Sequence, residues 1–220
     1  MRVLVPELLD LLPADDPAAV RSRHDLARIN WVMGQPAIMA HALSNCPPPK
    51  ILADLGSGDG RFLLSVAKRM ARRWPGVTAL ICDRQDIVSD RTRAAFAKLG
   101  WHCEVRQGDI FETLPQADII TANLFLHHFE DAALARLLAA VAAKARIFIA
   151  CEPRRNAFAL LGARMIWALG ANHVSRHDAV ASVRAGFTNT ELAALWPQPT
   201  WRIDERSAFP FSHVFTAHAV

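Results

Sequence analysis

Asp54-Leu55-Gly56-Ser57-Gly58-Asp59-Gly60, directly after the apolar run 51–53, decides the fold. Three glycines at alternate positions between a strand and a helix leave no side chain in the way. A ligand can then lie against backbone N–H groups and the positive end of the following helix. The spacing is neither the dinucleotide fingerprint G-x-G-x-x-G nor the phosphate loop G-x-x-x-x-G-K-[ST]. It is G-x-G-x-G with the acid Asp54 ahead of it. A carboxylate repels a pyrophosphate and suits a ligand that carries an ammonium or sulfonium cation. Taken alone, such a loop can also be a plain strand-to-helix turn.

The chain around it answers that reading. Residues 77–82 read as a second strand ending in Asp83 and Arg84, an acid placed to accept hydrogen bonds from ribose hydroxyls. A short third strand around Val105 leads to Gln107-Gly108-Asp109-Ile110, where a carboxylate and an apolar side chain could hold the edge and face of adenine. A fourth strand, 117–122, runs into Asn123-Leu124-Phe125-Leu126-His127-His128-Phe129. The acids and the Asn fall just beyond predicted strand ends, where open α/β sheets bind ligands. Together these features point to S-adenosylmethionine.

DLGSGDG at 54–60, ICD at 81–83, GDI at 108–110 and NLFLHHF at 123–129 resemble the S-adenosylmethionine-dependent methyltransferases of the Rossmann-like class, small-molecule branch. The resemblance runs over roughly residues 50–153. It implies an α/β fold, a doubly wound seven-stranded sheet with a C-terminal antiparallel hairpin and an N-terminal helical lid. It also implies that Asp54, Gly56, Ser57, Gly58, Gly60, Asp83, Arg84, Gly108, Asp109, Ile110, Asn123 and Leu124 serve the cofactor. It does not reveal the methyl acceptor.

Composition bounds the rest. With 220 residues, 52% of them hydrophobic, the chain suits one domain with a full core. The formal charge of +4 is modest. Lys68, Arg69, Arg72 and Arg73 fall on the polar side of a helix whose other side is Phe62, Val66, Met70 and Trp74. That is a solvated face, and no nucleic-acid partner is expected. Cys46, Cys82, Cys103 and Cys151 show no metal spacing and fit a reducing, cytoplasmic setting. Residues 1–12 carry Glu7 and Asp10 and lack a signal-peptide layout. The apolar run 157–169 includes Arg164 and is too short to span a bilayer. Oligomeric state stays open, with a homodimer among the options.

Four segments of one domain follow: an N-terminal helical lid (1–49), the cofactor core (50–153), an acceptor cap (154–200) and the closing hairpin (201–220). Asp16-Pro17 starts a helix to about Met33 that breaks at Gly34. The core alternates as strand 50–55, helix 59–73, strand 77–82, helix 88–99, strand 102–106, strand 117–122, helix 130–143 and strand 146–151. Such alternation implies parallel strands with right-handed crossovers. Beyond Glu152-Pro153 a helix over 156–169 is apolar nearly all round. A polar loop, two short helices at 178–185 and 189–195, and the hairpin runs 201–208 and 212–219 follow.

Methyl transfer to a hydroxyl or weakly acidic carbon asks the protein for alignment, dryness and a base. His127 and His128 directly follow the fourth strand and are the base candidates; each can equally cap or pack the next turn. His173 and His177 are candidates for the rim of the acceptor site, and Arg154 with Arg155 for an anionic acceptor group. Ser175 or Asp178 capping a helix is the plainer account of the first pair. The nine histidines show no tight spacing with acids or cysteines, so no metal is expected. The resulting expectation is methyl transfer to oxygen, or carbon, of a small apolar acceptor such as a phenolic or polyketide-like metabolite. Quinone carbon methylation and a non-catalytic cofactor-binding partner protein are the alternatives.

Overall fold

The computed structural model describes residues 1–197 and 200–220. Gln198 and Pro199, at the end of the expected cap, lie outside the described residues. Five parallel strands form first: β1 (Ile51–Leu55), β2 (Thr78–Asp83), β3 (His102–Gln107), β4 (Ile119–Asn123) and β5 (Ile147–Pro153). The hairpin β6 (Trp201–Ala208) and β7 (Ser212–Ala219) completes a sheet of order β3-β2-β1-β4-β5-β7-β6. β7 runs antiparallel to both β5 and β6. This is the seven-stranded, Rossmann-like architecture with a closing hairpin that the sequence implies.

Strand alternation divides the core in two. Leu52, Ala79, Ile81, Ile119, Ile147 and Ile149 point to one layer, and Ala53, Leu80, Cys82, Ile120, Phe148 and Phe215 to the other. Onto the first layer pack α3 (Gln35–Leu43), α4 (Arg61–Met70) and α5 (Asp90–Lys98). α7 (Asp131–Lys144) covers the second through Leu134, Leu137, Leu138 and Val141, the i, i+3, i+4, i+7 face read from sequence. The inner strands β1, β2, β4 and β5 are buried on both faces, which is why they read as continuous apolar runs. Lys68, Arg69, Arg72 and Arg73 are solvated, as expected.

The additions around this core depart from the sequence reading in three places. α2 (Pro17–Val32) begins as expected, its Asp16 carboxylate accepting the Ala18 and Ala19 amides. α3, however, is core and not lid, because Met39 and Leu43 are fully buried against the first layer. α8 (Ala157–Met165) ends early and tightens into a 3₁₀ turn, Ile166–Leu169. Its apolar surface is only partly used, with Phe158, Leu161, Met165 and Trp167 about half exposed. α9 (His173–Ala185) starts five residues before the expected helix, capped by Asn172, whose side chain accepts the Ser175 amide. The expected polar loop is thus the first turn of a helix, and neither Ser175 nor Asp178 is its cap. Among the described residues, no helix is long and apolar enough to cross a membrane.

Candidate active site

The strand order reverses between β1 and β4, and open α/β sheets bind ligands at such a switch point. The glycine loop leaves β1 there. Gly56, Gly58 and Gly60 all have positive φ, at 65°, 54° and 73°. At Gly56 a Cβ would come within 2.2 Å of the Phe125 ring, so the conformation and the close approach both require glycine. The amides of the loop's three glycines and of Ser57 are already paired. Gly56 and Ser57 donate to the Cys82 carbonyl, Gly58 to Asp83 Oδ2 at 2.8 Å, and Gly60 to the Ser57 carbonyl. What the loop offers is a surface without side chains, not an array of donors.

Asp54 also differs from expectation. It is buried, and its two oxygens are taken by the hydroxyls of Ser57 (2.6 Å) and Thr121 (2.7 Å). Burial, with Asp83 nearby, pushes its pKa up to about 6 against those two hydrogen bonds. Asp54 therefore ties the loop to β4, with both oxygens engaged by hydroxyls. Asp83 stands half-exposed at the end of β2; it accepts Gly58 and Gln85 amides and keeps lone pairs to spare. Gly108, with φ at 146°, turns the chain after β3. Asp109 is exposed and caps the short helix α6 (Ile110–Thr113), while Ile110 is buried beside it. Arg84 is exposed just past Asp83. At the end of β4, Asn123 Oδ1 is buried without a hydrogen-bond partner, and Leu124 holds a positive φ of 53°. A non-glycine residue in that region costs energy that its surroundings must offset. Loop, Asp83 and Asn123 share one edge of the sheet.

The second half of the site is a chain of charges. After Leu124, a 3₁₀ turn, Leu126–His128, is held by Glu152 at the end of β5. Glu152 is fully buried and accepts the amides of Phe125 (3.0 Å), Leu126 (2.9 Å) and His127 (3.4 Å). It also meets His127 Nδ1 at 2.7 Å. The other ring nitrogen, Nε2, faces Glu7 Oε1 at 3.2 Å, and the ring is only 2% exposed. Glu7 accepts the Ser182 hydroxyl as well. Despite burial, the two carboxylates push His127 up to about 9. Conversely, despite burial, His127 and the other donors hold Glu7 down at about 2 and lower Glu152.

Glu7 arrives on a strap, residues 1–11, that lies across α9. Arg2 reaches the carbonyls of His127, Phe129 and Ala185 and pairs with Asp131 at 2.7 Å. Its guanidinium also stacks on Phe187. The amides of Leu8 and Leu9, in the one-turn helix α1 (Leu8–Leu11), donate to Asp178. His128, a quarter exposed, meets Asp10 at 3.3 Å. Glu7, His127 and His128 bring ligand-type atoms within 4.8 Å of one another, a spatial grouping that sequence spacing did not foresee. His127 spends both nitrogens on carboxylates, which makes the group a hydrogen-bonded relay.

The remaining candidates do not join this centre. His173 and His177 lie on the exposed side of α9, and His177 pairs with Asp178. Arg155 is committed to Glu191 and Thr188. Arg154 sits half-buried after β5, its amide on the Phe211 carbonyl. Glu7, Glu152 and Ser182 are the residues that sequence reasoning missed. A charged residue closing the apolar run of β5 was a usable signal for Glu152. Nothing local marks Glu7 or Ser182.

Residues 12–149 match the O-methyltransferase domain family, and the chain belongs to that family. An uncharacterized methyltransferase of Mycobacterium tuberculosis is 39% identical over 89 residues, 38% of this chain and 41% of its own. Strychnine O-methyltransferase of Strychnos nux-vomica is 30% identical over 87 residues, 40% of this chain and 22% of its own. The chain thus spans well under half the length of these relatives. Among solved structures, the plantazolicin methyltransferase BamL, in complex with a triazolic desmethylPZN analog and SAH, superposes with a TM-score of 0.67. The identity is 12%, over 96% of this chain and 92% of that one. The mitomycin 7-O-methyltransferase MmcR gives 0.64 at 18% identity, over 96% and 60%. These likenesses describe the fold.

Proposed function

We propose that this chain transfers a methyl group from S-adenosylmethionine to an oxygen of a small, largely apolar acceptor, of phenolic or polyketide-like type. The observation that carries the reading is His127, fixed by Glu152 at the carboxyl edge of the sheet, in the turn that follows Asn123. The edge fits the cofactor. The glycine loop presents a surface without side chains, Asp83 has acceptor capacity for ribose hydroxyls, and the orphaned Asn123 Oδ1 is a buried acceptor in need of a donor. Gly108, Asp109 and Ile110 would take the adenine side, and Asp59, Asp83 and Asp109 give this edge the negative field that a sulfonium favours.

When bound, the cofactor supplies an activated methyl: the acceptor oxygen bonds to that carbon and the carbon–sulfur bond breaks, leaving its electron pair on sulfur. The protein's own residues do the rest. Phe125, Phe129 and Phe111 form an aromatic edge-to-face series at the site, with centroids 5.1 and 5.7 Å apart, suited to a flat acceptor. His127 orients the acceptor oxygen through Nε2. The strap and α9 act as the lid that keeps water out. Turnover of labelled cofactor against phenols, quinones and pyrones tests this directly. His127→Ala removes the donor to the acceptor oxygen and should lower turnover roughly a hundredfold while leaving S-adenosylhomocysteine affinity unchanged. A variant with near-normal turnover would remove His127 from the acceptor site, and transfer to a quinone carbon alone would replace the oxygen reading.

A further inference from the structure

The resting state of His127 says something about the acceptor itself. A neutral imidazole has one N–H and one lone pair, so it can satisfy one carboxylate as a donor but not two. Here both nitrogens face carboxylate oxygens, at 2.7 Å and 3.2 Å. Glu152 already takes three backbone amides and is an acceptor throughout; Glu7 meets the Ser182 hydroxyl, which also lies 2.8 Å from the Asp178 carbonyl. Two carboxylates facing the two nitrogens suit an imidazolium, with Nε2–H directed at Glu7. Such a ring has no lone pair with which to accept a proton from a hydroxyl.

We propose that Glu7 occupies the seat of the acceptor oxygen on His127 Nε2, and that the acceptor enters as an anion, an ionised phenol or enol, in exchange for the Glu7 carboxylate. The inference rests on the oxygen-methylation reading for the identity of the acceptor, but the seat itself follows from geometry. A neutral hydroxyl replacing Glu7 would leave the buried imidazolium with one counter-charge in place of two. An anionic oxygen preserves the balance, and its hydrogen bond to a charged donor is of the stronger kind. The acceptor's proton has then gone to solvent before the exchange, and no base is needed in the transfer step. Other charged groups lie around the ring: His128 is tilted against it with centroids 4.4 Å apart and stands between Asp10 at 3.3 Å and Glu7 at 4.0 Å, and Arg2 binds the His127 carbonyl with its charge on Asp131. The strap is built for exchange. Arg2 anchors it well before Glu7, and Asp178 holds the backbone amides of Leu8 and Leu9 just after it, so the Glu7 side chain can leave while the backbone of the segment stays held.

The test uses the full-length chain with ¹⁵N-labelled histidine, His127 being assigned by its loss in His127→Gln. Both ring nitrogens should carry protons at neutral pH, and Glu7→Gln should lower the pH at which the ring titrates. A neutral ring at neutral pH in the parent protein overturns the proposal. In the presence of S-adenosylhomocysteine, 4-nitrophenol reports its own ionisation by colour. It should bind as the yellow anion below its solution pKa, and about tenfold more tightly to Glu7→Ala, where nothing has to be displaced. Binding as the neutral phenol, or weaker binding to Glu7→Ala in a variant that melts normally, overturns it. Benzoate separates the seat from the methyl-transfer reading. It should bind Glu7→Ala in place of the missing carboxylate, and its failure to do so removes the seat whatever the phenols do. Benzoate binding with no phenol bound keeps the anion seat and sinks the oxygen-acceptor reading.

Discussion

Two buried carboxylates in this protein do the same local work. Glu152 accepts the amides of the turn after β4 and pairs with His127; Glu205 accepts the Leu192 and Ala193 amides of α10 (Glu191–Leu195) and pairs with His213 at 2.7 Å. They are also close in the sheet, since His213 on β7 is the register partner of Glu152 on β5. The difference is what meets the ring from the other side. Among the described residues one carboxylate, Glu205, pairs with His213, and the ring stacks on Phe187. His127 meets a second carboxylate, carried there from position 7 by the strap. A buried His–Glu pair is therefore an ordinary packing device in this fold. The second carboxylate is what sets the His127 pair apart, and on the proposal above it holds the place of a ligand.

Breaking the two pairs should show their shared part first. Glu152→Ala strands three amides and a buried imidazolium, and breaking a buried ion pair costs about 3–5 kcal/mol. For a domain of this size that is a fall in melting temperature on the order of 10 °C. Glu205→Ala, with two amides to strand, should fall less. Glu205→Gln should leave nitrophenol binding unchanged. Equal loss of acceptor binding in both variants would erase the distinction.

The cofactor edge gives the next effect. Asp83→Ala removes a half-exposed carboxylate and the anchor of the Gly58 amide. Each charge-assisted bond to ribose is worth about 1.5–3 kcal/mol, so calorimetry should show at least a tenfold weaker affinity for S-adenosylhomocysteine. Melting should change far less than in Glu152→Ala. Unchanged affinity would refute the ribose assignment, and tight binding of NAD would refute the cofactor.

These contrasts also explain what was legible. The cofactor edge is written in short local motifs. Glycine spacing, acids at or just past the ends of β1, β2 and β3, and 3.6-residue periodicity in α7 are set by neighbours in sequence, and the core elements fall within a few residues of their expected ends. The acceptor corner is assembled from positions 2, 7, 127, 152, 178 and 182, and no spacing rule joins residues that meet only after the chain has folded. Asp54 shows the converse: its motif position was plain, but whether its oxygens face a ligand or Ser57 and Thr121 depends on the strand beside it.

pH sharpens the comparison by a smaller amount. His127 is raised from the ordinary 6.5 to about 9, so the stabilisation it draws from its carboxylates is complete below 6.5 and lost as pH rises through 9. Glu7 is lowered from 4.5 to about 2, so its share is present above 4.5 and lost as pH falls through 2. The melting temperature of the parent should therefore exceed that of Glu7→Gln by a constant margin between pH 4.5 and 6.5. The margin should shrink from 6.5 toward 9. A margin that does not move with pH would leave Glu7 a packing residue, on a par with the partners of His213.

The smallest effect is expected at the histidines that sequence placed on the acceptor rim. His173 and His177 share α9 with Asp178 and Ser182, yet their side chains are turned outward while those two face the strap. His177 does touch Asp178, at 2.9 Å, but it is 43% exposed, and Asp178 keeps the Leu8 and Leu9 amides without it. His173→Ala and His177→Ala should each change stability by less than about 0.5 kcal/mol, as surface substitutions do, and turnover by less than about twofold. Asp178→Ala is the informative partner, because it frees both strap amides and should loosen hydrogen-exchange protection at Leu8 and Leu9. If His177→Ala instead matched Asp178→Ala in exchange and turnover, the exposed ring would be part of the strap's anchor. The acceptor corner would then extend along α9 beyond the Glu7 contact.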